Sequence, residues 1–252
     1  MLKNNLKSIL SLLIVLCFCL AMLSACGNND NVGNISSNDE VGENTSSDNE
    51  KIGIASATVG TSVFFGTYEQ DNNTSNGAED IEWIVLENDS DKMMLISKYI
   101  LDGKDYNDEY GEFTWETCGL RTWLNEVFLI TAFNENEKTA ICETLISNPD
   151  NATWGTEGGN DTTDKVFLLS IDEVNKYFPT EESHLATGTT YGDTIVTKDS
   201  GSEYRFWWLR SPGKVSANAA YVHVDGRLVD VGMTVNVMCF GVRPVIYVKI
   251  AK

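Results

Sequence analysis

The chain has 252 residues, 18 of them basic and 37 acidic, for a formal net charge of −19, and 42% of its residues are hydrophobic, enough for a packed core. A surface this acidic repels nucleic acid and anionic lipid head groups, which argues against both as partners and leaves neutral or cationic ligands. Two histidines and six cysteines are little material for a His-rich metal cluster or a Cys–His nucleophile.

Lys3 and Lys7 precede an apolar run from Ile9 to Leu23, which ends in Leu23-Ser24-Ala25-Cys26. A basic start, a short apolar stretch and small residues before a cleavage point are the parts of a secretory signal. The run is shorter than the roughly 20 residues that a spanning helix needs, and no stop-transfer segment follows it. The final quartet resembles the bacterial lipobox, in which cleavage precedes a cysteine carrying a diacylglyceryl group. The resemblance implies a signal peptide over 1–25, lipidation at Cys26, and a mature protein held at the outer face of the bacterial cell membrane by its lipid alone. Residues 26–56 are rich in Asn, Ser, Gly and acids and read as a disordered tether. One globular extracellular domain is then expected over 57–252. Its three cysteines, Cys118, Cys142 and Cys239, have apolar neighbours or stand at a helix start, and read as buried thiols.

Within the domain, SVFFGTYEQ reads as a strand, and WIVL and KMMLIS flank an Asn-Asp-Ser-Asp turn as a hairpin. Leu120, Trp123, Leu124, Val127 and Phe128 fall at helical spacing and predict an amphipathic helix, with Arg121 and Asn125 on another face. Asn134 with Glu137, and Ser170 with Glu173, carry the capping-box spacing of two further short helices. AAYVHV and RLVDV flank Asp225-Gly226, a two-residue turn signal. Pairing about it sets Val222 opposite Val229 and Ala220 opposite Val231 on a core face, and displays Tyr221, His223, Leu228 and Asp230 on the other. GVRPVIYV reads as a terminal strand. Trp123, Trp207 and the hairpin valines are the expected core.

The stretch FWWLRSPG, Phe206 to Gly213, holds adjacent tryptophans. Side chains alternate along a strand, so Trp207 and Trp208 point to opposite faces: at least one is core, and the other either packs under the long loop, the commoner fate of a large aromatic, or opens to a ligand. Tyr221, His223, Asp230 and the outward tryptophan are therefore the candidate ligand contacts. Asp105, Asn107, Glu109 and Glu116 approach a calcium-loop spacing, but the glycine is seventh where the turn requires it sixth, which favours a solvated acidic loop. The acids of the Asn148–Asp164 loop are a weaker calcium candidate. Arg121, Arg210 and Arg243 lie in apolar motifs, where a guanidinium requires a carboxylate or carbonyl partner, and read as structural clamps. No nucleophile elbow, phosphate loop or metal motif is present, so no catalytic residue, metal or cofactor is expected.

FGTYEQ, MLISKYILDGKDYN, TWETCGLRTWLNEVF, DKVFLLS, WWLRSPG and GVRPVIYV together resemble the bacterial family known as domain of unknown function 6273, found on secreted and lipid-anchored proteins and without an assigned activity. More remotely, the order of elements is similar to C-type-lectin-like folds, including the formylglycine-generating sulfatase-modifying enzymes, though neither their calcium motifs nor their paired cysteines occur here. The resemblance implies an α+β, C-type-lectin-like fold of antiparallel hairpins with two to three short helices. The function expected is a non-enzymatic surface module that binds a glycan, a wall component or a protein; the alternative is an extracellular hydrolase of wall or dietary polymers.

Overall fold

Apolar and polar residues alternate in SVFFGTY and EDIEWIVLEN, and these stretches form β1 (Ser62–Tyr68) and β2 (Glu79–Asn88), which bury Val63, Ile81, Trp83 and Val85. The computed structural model describes residues 57–89 and 91–250; the apolar run, Cys26 and the tether lie outside them. β3 (Lys92–Ser97) completes the expected hairpin. β12 (Val245–Lys249) and β7 (Val166–Phe167) add to it, giving a five-stranded antiparallel sheet in the order β1-β2-β3-β12-β7. The β1–β2 register shifts between Phe64 and Thr67. Gly66 stands at that bulge with φ +70°, and a Cβ there would lie 2.5 Å from the Phe133 ring, so the site requires glycine for both its conformation and its space.

The second sheet runs β10-β9-β8-β11-β4, with β4 (Asp102–Lys104), β8 (Trp207–Pro212), β9 (Asn218–Val222), β10 (Leu228–Thr234) and β11 (Phe240–Val242). β5 (Thr144–Ile146) and β6 (Thr162–Asp164) form a separate ribbon. The expected terminal strand is split. Pro244 has no N–H to give a ladder, and around it β11 serves the second sheet while β12 enters the first. Two links hold this crossover to the end of β3. Arg243 Nε donates to Ser97 O at 2.9 Å, and Ser97 N donates to Pro244 O at 2.9 Å.

Helical segments are short: α1 (Gly119–Trp123), a π turn (Leu124–Phe128), α2 (Leu129–Ala132), α3 (Glu135–Ala140), α4 (Ile171–Tyr177), α5 (Glu181–His184) and α6 (Gly192–Ile195). Both expected capping boxes form, at Asn134 and Ser170. Leu120, Leu124 and Phe128 are buried as the stripe predicts, Trp123 is half-buried and Val127 is exposed. The π turn winds more residues per turn than the α spacing assumes, and this rotates Val127 out of the buried stripe.

The α+β, C-type-lectin-like expectation is overturned. About 33% of the described residues are strand and 18% helix, with the strands spread over several sheets, which is a β-rich fold. The helical signals mark segments of one or two turns, whereas DGK, TLI, TTD and FGV are strands too short to show a period of two. Asn49–Lys252 form one compact unit, and every strand pairing lies within it. No helix among the described residues is long and apolar enough to cross a membrane.

Candidate ligand groove

β8 is a middle strand of the second sheet, and all six of its residues are buried. Both tryptophans are therefore core, so the packed alternative holds for the second one and neither Trp207 nor Trp208 is the ligand contact. Trp207 Nε1 donates to His184 O at 3.1 Å and Trp208 Nε1 to Lys104 O at 2.8 Å, so each indole N–H is satisfied inside. Trp207 lies against the Arg243 guanidinium, which Phe178 flanks as well, at 5.2 and 5.3 Å from the ring centroids. Burial pulls Arg243 down to about 10. Trp208 packs on Phe240, Tyr106 and Tyr221 at 4.7, 5.6 and 6.4 Å.

The hairpin differs from expectation by one residue. Leu228 pairs with Val222 and Val229 with Tyr221. His223 N donates to Arg227 O and Gly226 N to His223 O, which closes a three-residue loop with Gly226 at φ +89°. A type I turn followed by a left-handed glycine is the usual three-residue solution. A slip of one residue exchanges the faces of one strand relative to the other. Tyr221 thus shares its face with Val229 and is itself buried, Asp230 leaves that face, and Val231 is exposed.

Tyr221 and His223 remain together at a groove of about 320 Å³, lined also by Thr197, Lys198, Asp199, Phe206, Met233, Met238 and Phe240. Its floor is aromatic: Phe206 stacks on Phe240 at 4.8 Å and 17°, and Tyr221 meets Phe240 at 4.8 Å. The His223 ring stands edge-on to Phe206 at 5.0 Å, and its Nδ1 lies 2.9 Å from Asp225 Oδ1. Burial raises the Tyr221 hydroxyl above its ordinary range, so it stays a protonated donor. Half-buried Phe206, Met233 and Met238 give the mouth an apolar, adaptable lining. Phe206 and the two methionines escaped the sequence reading because they come from separate segments: Phe206 just before β8, Met233 in β10, and Met238 between β10 and β11.

Residues 90–250 match the family described as domain of unknown function (DUF6273). The chain belongs to this family. The matched span begins just before β3, so β1 and β2 extend the first sheet of the DUF6273 domain from outside it. No curated protein and no solved structure matches the chain.

Elsewhere in the DUF6273 domain, polar residues singled out from the sequence serve the fold. Asp230 lies at a small cavity beside Asn151, whose Nδ2 donates to Asp230 O and Pro212 O. Asp164, at the end of the Asn148–Asp164 loop, is buried and accepts from Arg121 Nε at 2.7 Å, Trp115 Nε1 at 2.9 Å and Thr162 Oγ1 at 2.7 Å. Asp150 and Asp161 brace backbone N–H groups of the same loop. In the other calcium candidate, Asn107 accepts from Gly119 N and donates to Glu109 O. The three arginine clamps form as expected: Arg210 engages Glu173 and the Leu168 and Ser147 carbonyls, Arg121 holds Asp164, and Arg243 holds Ser97. Glu69, Asp71 and Glu79 place carboxylate oxygens within 4.8 Å of one another, and those oxygens accept N–H groups of Gln70, Asp71 and Asn73 in the intervening loop.

Proposed function

We propose that the chain is a lipid-anchored cell-surface binding module, attached through Cys26, whose ligand seats in the Phe206–Tyr221–His223–Phe240 groove. The ligand class is a surface glycan, wall component or protein segment with an apolar face for the aromatic floor and polar groups for His223, Asp199 and Lys198. The carrying observation is the juxtaposition of a stacked aromatic floor with a ring of directional donors and acceptors, the usual composition of a small-ligand site. Hydrolysis of a glycoside calls for two carboxylates flanking the bond, and Asp199 is the single acid among the described residues that line this groove. The non-enzymatic reading is therefore the better supported.

Glycan and peptide arrays probed with the Asn49–Lys252 unit test the groove. A hit should weaken at least tenfold in a His223→Ala, Asp199→Ala variant whose Tm is little changed, because neither side chain is in the core and the partly exposed His223–Asp225 pair contributes at most about 1 kcal/mol. Binding that survives both substitutions, or no binding on either array, overturns the reading. The anchor is tested separately: Cys26→Ala should abolish incorporation of labelled lipid in the expressing bacterium, and continued labelling would refute it.

A further inference from the structure

Most lysines and arginines among the described residues lie within ion-pair distance of a carboxylate. Lys92, Lys165 and Lys249 have no such partner among those residues, and all three line the same groove, a space of about 800 Å³ between the end of β12 and the segment 139–145. In a chain with 37 acids to 18 bases, this is a local reversal of charge. Lys249 is moreover the register partner of Lys92 across β12 and β3. Directly opposed like charges destabilise an antiparallel pair, and among the described residues the one other contact of either ammonium is the 4.4 Å approach of Lys92 Nζ to the Tyr247 ring. Lys165 Nζ donates to Lys138 O at 2.9 Å and keeps two further N–H donors. Glu143 is the single acid among the described residues that line the groove.

We propose that this groove binds a phosphate-bearing anion, with the Lys92–Lys249 pair as its centre. An ammonium is a compact point charge suited to phosphate oxygens, and an anion between two opposed ammonium groups turns their repulsion into attraction. The occupant is a single phosphate-bearing polymer chain. A flat anionic membrane would meet the repulsion of the whole acidic surface, whereas one chain in a groove meets only charges within a Debye length, about 8 Å at physiological salt.

Titration calorimetry of the Asn49–Lys252 unit with inorganic tripolyphosphate is the test. Expected are saturable binding that weakens with added salt, at least a tenfold loss in the Lys92→Gln, Lys249→Gln variant, a gain in Glu143→Gln, and no change in His223→Ala, which separates this groove from the aromatic one. Tripolyphosphate should raise the Tm of the parent unit and leave that of the double variant unmoved, while Lys249→Gln alone should raise the ligand-free Tm. The proposal fails if no saturable heat appears, if the double variant binds as well as the parent, or if the unit binds phosphatidylglycerol vesicles without competition from tripolyphosphate.

Discussion

Asp225 shows how a surface residue shapes the hairpin at the aromatic groove. Burial is the largest single effect and opposes its charge, but hydrogen bonds from the Arg227 side chain and backbone and from His223 together outweigh it and hold the carboxyl at about 2. A carboxylate depressed in the folded state stabilises above its unfolded pKa of about 3.9, and that contribution disappears as pH falls through the folded value. Asp225 is half exposed, so the amount is at most about 1 kcal/mol. Urea unfolding should show Asp225→Asn less stable than the parent at pH 6, with the gap closing between pH 4 and pH 2; a gap unchanged at pH 2 would rule the ion pairs out as its source. Cys118 illustrates burial prevailing over the groups that oppose it. Its thiol caps α1 and is pushed up to about 12 by desolvation, despite the N–H groups of Arg121 and Leu120 and the Tyr106 hydroxyl. Folded protein should therefore resist iodoacetamide at Cys118 at pH 8, with the half-buried Cys142 and Cys239 modified first. Mass spectrometry of the alkylated peptides checks the order.

Among the elements, the β9–β10 hairpin and the β11–β12 crossover carry the strongest constraints. Gly226 combines a positive φ with a position where a Cβ would lie 2.1 Å from Glu181 O. Gly226→Ala should thus cost on the order of 1 to 3 kcal/mol, the range for a residue forced into a disfavoured backbone region, and should weaken any ligand that uses His223. An equally stable variant would mean that the loop can adopt another turn. At the crossover, Arg243 works through its shape: the planar guanidinium fits between Phe178 and Trp207 while Nε reaches Ser97 O. Lysine carries the charge without the plane or the fork, so Arg243→Lys should destabilise by about 1 to 3 kcal/mol. An undiminished denaturation midpoint would show that charge alone suffices there.

At the scale of the whole molecule, the acidic surface repels itself. With a net charge of −19, raising the ionic strength from about 0.01 M to 0.15 M shortens the Debye length from about 30 Å to 8 Å and screens the compact state. The Tm should rise over that interval, and a fall would mean that attractive ion pairs such as Arg121–Asp164 and Arg205–Asp193 outweigh the repulsion. The sequence by itself determined what depends on near neighbours: the first hairpin, both capping boxes, the Leu120–Leu124–Phe128 stripe, and the need of each buried arginine for a partner, since backbone propensity and desolvation act within a few residues or on one group. It also carried the family motifs. Only the tertiary structure decided which faces are covered. Alternation along FWWLRSPG separates Trp207 from Trp208, but burial of both follows from β8 having strands on either side and packed layers on each face. The hairpin register turned on whether the loop closes over two residues or three, a choice in which Gly226 packs against Glu181, some forty positions earlier in the chain. Both candidate grooves arise in the same way, from side chains on strands and loops distant in sequence. Their meeting is a property of strand order, and no local pattern records it.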